Sequence, residues 1–312
     1  HKGGKQLMSD SEVLTLAIIG QWEVGVPWRS ERGLVRFLHA HGRAWFPHLL
    51  QVSAFNRRVR HLCTALAALQ RWVARLLEQG SAIYEVMDGL PLPVCSLGQM
   101  LREEQHWLGQ VSAKGHGGTH GGWFYGQRWW VCVTAQGAIR DWLLAAANIN
   151  ERWVLDRFLA ARAGVAPVDP PEDRHKSRAD RPKRPDGFIG GYFAVGKAND
   201  EPGVLDRGLN GETWRLHWEA HYRARMVSVP PDNAPERVLW TRQDCKSHAS
   251  RRQVIETVFA RLTTVFGVKH IGAHSLWGQY TRLAAKAAAF NCGLWLNRQL
   301  GRPSFALAAL II

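Results

Sequence analysis

Residues 84–91, Tyr84-Glu85-Val86-Met87-Asp88-Gly89-Leu90-Pro91, decide the fold of this chain. Up to about residue 80 the apolar positions recur every three to four residues, and from 81 onward they fall in short runs of period two, as strands do. A first strand is predicted over Ile83–Asp88, with Asp88 at its end and Gly89-Leu90-Pro91 stopping the ladder. The glycine-rich run Lys114-Gly115-His116-Gly117-Gly118-Thr119-His120-Gly121-Gly122 reads as a loop that leads into a second strand, Trp123–Thr134. Gln136-Gly137 is a turn, and Ile139–Ala147 completes a hairpin as the third strand. Asn150-Glu151 caps a helix through Trp153, Val154, Phe158 and Leu159 that stops at Gly164. Pro167, Pro170, Pro171, Pro182 and Pro185 among charged residues mark 165–200 as an insertion or mobile loop. Order returns with the short buried strand Gly203-Val204-Leu205-Asp206, a helix from about Glu212 to His221, a strand Arg225–Val229 and a long helix from about Ser250 to Phe266. Three strands in a meander followed by alternating helices and strands imply an α/β protein with a mixed sheet flanked by helices, the order of an RNase H-like core.

On either side of this core the chain reads as helical. Ser9-Asp10-Ser11-Glu12 has capping-box spacing, Ser30-Glu31 opens a second helix, and a third is predicted from Ala54 to about Glu78, ended by Gly80. Its first turns carry Arg57, Arg58, Arg60 and His61, which suit a helix that enters a DNA groove or grips phosphates, or else form a solvated basic face. Ser275–Leu300 is helical and rich in Ala and Leu. The expected division is a helical DNA-binding region at 1–80, a catalytic domain at 81–272 and a helical tail at 273–312.

Composition narrows the function. The 312 residues are 46% hydrophobic and 21% charged, which excludes disorder, and 40 Lys+Arg against 26 Asp+Glu give a net charge of +14, which favours polyanionic partners. Cys63, Cys95, Cys132, Cys245 and Cys292 form no C-x-x-C pair, so neither a disulfide framework nor a zinc ribbon is suggested and a reducing cytoplasm fits. His1-Lys2-Gly3-Gly4-Lys5 precedes no apolar h-region, and the apolar stretch Phe305–Ile312 is far below the roughly 18 residues of a membrane span, so neither export nor insertion is expected. The 15 tryptophans supply either base-stacking platforms or core packing.

Within this basic chain, Asp88 ends the first strand, Asp206 ends the fourth, and Glu256 lies in the long helix Arg251-Arg252-Gln253-Val254-Ile255-Glu256-Thr257-Val258-Phe259. Neighbouring first and fourth strands would bring the two aspartates to one edge. Converging carboxylates make a hard, oxygen-rich site suited to two Mg²⁺ or Mn²⁺ ions about 3.5–4 Å apart, the arrangement that cuts or joins DNA. Periodicity alone does not place Glu256 there, because it lies roughly 130° from the apolar stripe of its helix. His116 and His120 lack further ligands, so their loop is read as DNA-contacting, with Lys114 and the glycines approaching phosphate. Arg181-Pro182-Lys183-Arg184 reads as a solvated phosphate contact.

An ordered set of motifs resembles the DDE transposases of bacterial insertion sequences. It comprises Ser9-Asp10-Ser11-Glu12-Val13-Leu14-Thr15-Leu16, Phe55-Asn56-Arg57-Arg58, Asp88-Gly89-Leu90-Pro91-Leu92-Pro93-Val94-Cys95, Trp123-Phe124-Tyr125-Gly126, Asp206-Arg207-Gly208, Arg252-Gln253-Val254-Ile255-Glu256-Thr257-Val258-Phe259 and Ser275-Leu276-Trp277-Gly278. The resemblance implies Asp88, Asp206 and Glu256 as catalytic, metal-binding residues, with Asp88 bridging two ions and the others each holding one. It also implies a homodimer acting on double-stranded DNA in the bacterial cytoplasm, at the nucleoid. Arg207 and Arg252 become DNA-binding candidates, Arg252 either at a phosphate near the cut or as a plain surface arginine. The chain departs from the pattern at Arg207-Gly208-Leu209, where relatives often have Lys-Gly-Tyr, and at Thr263, where some have lysine. Beside a transposase that cleaves element ends and transfers strands, two other readings stay open: a structure-specific nuclease on the same core, and a domesticated, inactive DNA-binding regulator.

Overall fold

The computed structural model describes residues 8–78, 84–95, 110–117, 122–169, 189–190, 202–206, 209, 211–273 and 275–310. These fall in two compact units, one made of the chain up to Leu77 together with the chain from Ala260 onward, the other of Glu78–Phe259. Residues 273–312, read from the sequence as a separate tail, thus belong with the N-terminal helices.

The first unit is helical. Helix α1 (Asp10–Ile19) carries the expected capping box between Ser9 and Glu12, and α2 (Glu31–His41) is capped by Ser30. The single helix predicted from Ala54 is two, α3 (Val52–His61) and α4 (Cys63–Leu77), broken at Leu62. The apolar stripe runs through this break, which is why spacing alone does not show it. From the last segment, α8 (Leu276–Gln299) lays its alanines against α4: Leu283, Ala284, Ala285, Ala287, Ala288, Ala289 and Phe290 are all buried. Small side chains let two helix backbones approach closely, and the Asn291 amide reaches the Gln70 carbonyl at 2.9 Å.

The second unit holds an open mixed sheet of seven strands. They are β1 (Glu85–Cys95), β2 (Ala113–His116), β3 (Trp123–Thr134), β4 (Ile139–Ala146), β5 (Ile189–Gly190), β6 (Gly203–Val204) and β7 (Met226–Val227), in the order β5-β4-β3-β1-β6-β7, with β2 joined to β3. β1, β3, β4 and β5 pair antiparallel in turn, whereas β6 lies parallel to β1 and β7 parallel to β6. Helices α5 (Glu151–Ala163) and α6 (Glu212–Tyr222) cover one face, where Trp153, Phe158, Trp214 and Trp218 pack with Met87, Trp130, Cys132 and Leu143. Asn150 caps α5 and Gly164, at φ 69°, ends it, as expected. The long helix α7 (Arg242–Thr264) passes from this unit into the first. It begins before the predicted Ser250, because Thr241 and Asp244 form a side-chain to backbone box in both directions.

Three other expectations change. The ladder does not stop at Gly89-Leu90-Pro91: β1 runs on to Cys95 against β3. Glu85 donates its N–H to Pro202, on the β6 side, so by alternation the backbone of residues 87, 89, 91 and 93 faces that side too. Beyond Val86 no described strand pairs there, and Pro91 and Pro93 therefore forfeit no ladder bond. Lys114 lies in strand β2 and not in a loop, whereas Gly118–Gly121 lie outside the described residues. Most of 165–200 is likewise outside them, but Ile189–Gly190 form a strand on β4. Among the described residues no helix is long and apolar enough to cross a membrane.

Candidate catalytic site

The parallel register of β1 and β6 sets the geometry. Val86 pairs with Val204, so Asp88 and Asp206, each two residues further on, reach the same level at neighbouring positions. α7 closes the site from its own end of the sheet, with the His248 ring 3.4 Å from the Val227 carbonyl and the Arg251 guanidinium 5.2 Å from the Tyr84 ring. Arg252 follows and bridges the aspartates, with Nη1 2.7 Å from Asp206 Oδ1 and Nη2 3.6 Å from Asp88 Oδ2. It is neither a plain surface arginine nor free for a phosphate in this state.

Asp88 is incompletely served. Its Oδ1 accepts the Gly89 N–H at 2.7 Å, and its other oxygen has the long contact to Arg252. Burial raises its pKa and the neighbouring Asp206 charge adds to the rise, outweighing the Gly89 N–H, Arg252 and Arg128. Gly89 itself faces Trp130, and a Cβ there would lie 3.0 Å from the indole.

Arg128, which the sequence reading passed over, lies within electrostatic reach of Asp88. It pairs with Glu151 at the start of α5 and donates to the His116 carbonyl at 2.8 Å. The signal was present in the sequence: Arg128 is the lone charged residue in the apolar run Trp123–Thr134. With Asn148, Asn150 and Arg152 it lines a polar recess of about 380 Å³.

The third expected carboxylate stands apart. Glu256 is four residues beyond Arg252 on α7, a rise of about 6 Å; it is exposed and makes no hydrogen bond or ion pair among the described residues. Among those residues no group of three or more His, Cys, Asp or Glu side chains is gathered to hold a metal ion. The Asp88–Asp206 pair does fit a divalent cation in its chemistry, two hard carboxylates at one level held together by a positive charge.

The other candidates lie elsewhere. Arg57, Arg58 and Arg60 occupy the last turns of α3, where cations complement the helix dipole, not the first turns of a long helix. Arg57 is exposed, Arg58 is paired with Asp10, and the Arg60 carbonyl accepts the Trp277 indole N–H at 3.2 Å. Lys114 places its Nζ 4.7 Å from the centre of the Trp123 ring. Arg207 lies outside the described residues.

No family model, curated protein or solved structure matches this chain.

Proposed function

We propose that this chain is a divalent-metal-dependent DNA transposase with an RNase H-like catalytic domain, which hydrolyses phosphodiester bonds at the ends of an insertion sequence and joins the freed 3′-hydroxyls to target DNA. One observation carries the reading: Asp88 on β1 and Asp206, just past the end of the adjacent parallel strand β6, share one arginine from a following helix. Support also comes from the strand order β4-β3-β1-β6-β7 with only β3 reversed, from the motif order in the sequence and from the net charge of +14.

Asp88 and Asp206 would hold Mg²⁺ or Mn²⁺, with Glu256 joining from α7. The bound ions supply charge neutralisation at the scissile phosphate. Until then Arg252 neutralises the two carboxylates, and their release frees its guanidinium for a phosphate oxygen one turn from Glu256.

The test is nicking of supercoiled plasmid, and of a labelled fragment flanking the coding region, with Mg²⁺ or Mn²⁺. Metal-dependent nicking by the wild type that vanishes in Asp88→Ala, Asp206→Ala and Glu256→Ala, with DNA binding retained, is the expected result. Binding without cutting in any metal overturns it in favour of a regulator; cutting of branched DNA without strand transfer favours a nuclease.

A further inference from the structure

The edge formed by β2 and the start of β3 carries a cluster that this chemistry does not use. His116 and Trp123 are direct cross-strand partners, so their side chains share a face, and Lys114, two residues from His116, stands on it too. The His116 ring meets the indole edge-on with centroids 5.2 Å apart, and Lys114 Nζ lies 4.7 Å from the indole centre. Trp123 is nevertheless 60% exposed, whereas Trp129, Trp130 and Trp142 of the same sheet are buried. An indole left in water forfeits the burial that its size would otherwise earn.

The cluster sits on a closely packed strand and on the sheet face of Asp88. A Cβ on Gly115 would lie 2.5 Å from Ala147 Cβ, so β2 sits directly on the chain leaving β4. Val131 is the partner of Asp88, and Trp123 lies eight residues before it on β3, hence on the same face and at most about 26 Å away. Arg128, whose guanidinium holds the His116 carbonyl, lies between the two positions along β3 but on the strand's other face.

We propose that Trp123, Lys114 and His116 form a stacking platform for an unpaired nucleotide of a DNA strand leaving the catalytic site. The base lies on the indole, and the Lys114 ammonium, already beside the ring, holds that nucleotide's phosphate. The platform rests on the reading of the chain as a DNA-processing enzyme.

The experiment uses the full chain and a 15-nucleotide oligothymidylate carrying one 2-aminopurine, single-stranded or annealed to its complement. Wild type binds the single strand and quenches the 2-aminopurine by stacking. Trp123→Ala weakens single-strand binding about tenfold and abolishes the quench; Trp123→Phe keeps most of both, and duplex affinity changes by less than about twofold. Lys114→Ala lowers the slope of log affinity against log salt by about 0.7. Unchanged thermal melting of the variants certifies their folding. Unaltered single-strand binding by Trp123→Ala, or equal weakening for single strand and duplex, overturns the platform. A wild type that shows the quench but never nicks DNA removes the transposase reading and leaves the platform; nicking with an unaltered Trp123→Ala removes the platform alone.

Discussion

Three residues apart on β1, Glu85 and Asp88 each meet arginines, but on opposite faces of the strand and with different completeness. Glu85 is 2% exposed, and both its oxygens are taken: Arg162 reaches them at 2.7 and 2.9 Å, and Arg140 adds an ion pair. Arg140 in turn holds Glu78 at 2.8 Å, and Asp141 lies 3.4 Å from Arg162. Burial pushes the Glu85 pKa up, but the two guanidinium charges outweigh it and the net shift is downward. Asp88 has one backbone donor, a long contact to Arg252 and the more remote charge of Arg128, and its net shift is upward. In the first cluster both oxygens of the buried carboxylate are taken by guanidinium groups. In the second, the donors and guanidinium groups around Asp88 do not offset the cost of its burial.

Removing each carboxylate separates the two clusters most clearly. Asp88→Ala and Asp206→Ala lower DNA nicking on the order of a thousandfold, measured against plasmid, with a melting temperature that does not fall. Glu85→Gln does the reverse, because it removes the charge that Arg140 and Arg162 share in the interior. Denaturant titration should show a loss of about 3 kcal/mol or more, and residual activity should track the folded fraction. If Asp88→Ala destabilises as much as Glu85→Gln, the two clusters are alike and the contrast fails.

Added metal acts on the second cluster alone. Mg²⁺ or Mn²⁺ at a hundredfold over its dissociation constant stabilises wild type by about 2.7 kcal/mol, read as a shift in thermal melting. The shift is absent in Asp88→Ala and Asp206→Ala, and chelation reverses it in wild type.

Acid titration probes Glu85. A carboxylate whose folded pKa is depressed contributes stability that is complete above its ordinary value near 4.5 and is lost as pH falls through the folded value. Wild-type melting therefore drops as the medium is taken below pH 4.5, and Glu85→Gln shows the flatter profile. The smallest effect belongs to Gly89→Ala: the added methyl crowds Trp130 and costs about 1–2 kcal/mol, shifting Asp88 and lowering nicking more than stability alone explains.

Much of the fold was legible in the sequence because local chemistry specified it. The bounds of β3, the turn at Gly137 and the caps at Ser9, Ser30, Asn150 and Ser275 follow from patterns that need no partner. β1 was cut short because a proline's effect depends on which edge it faces, a fact that exists only once neighbours are assigned. The start of α7 was legible in Thr241-x-x-Asp244 and overlooked, since the apolar stripe begins later. Of the candidate site, the convergence of Asp88 and Asp206 follows from strand order. The bridging role of Arg252 does not, because helix spacing leaves its direction open. The Glu85 network was invisible, since a glutamate in a strand reads as a solvated residue until its arginines, 55 and 77 positions away, are seen.

Pro91 and Pro93 have a further consequence. A sheet edge with unpaired amides is a template on which another chain's strand can grow. Beside Asp88 the two prolines leave carbonyls but no donors at alternate positions of that edge, so an incoming strand finds too few partners to nucleate a ladder. The same two residues that hid the length of β1 from the sequence thus make this stretch of the strand a poor template for another chain.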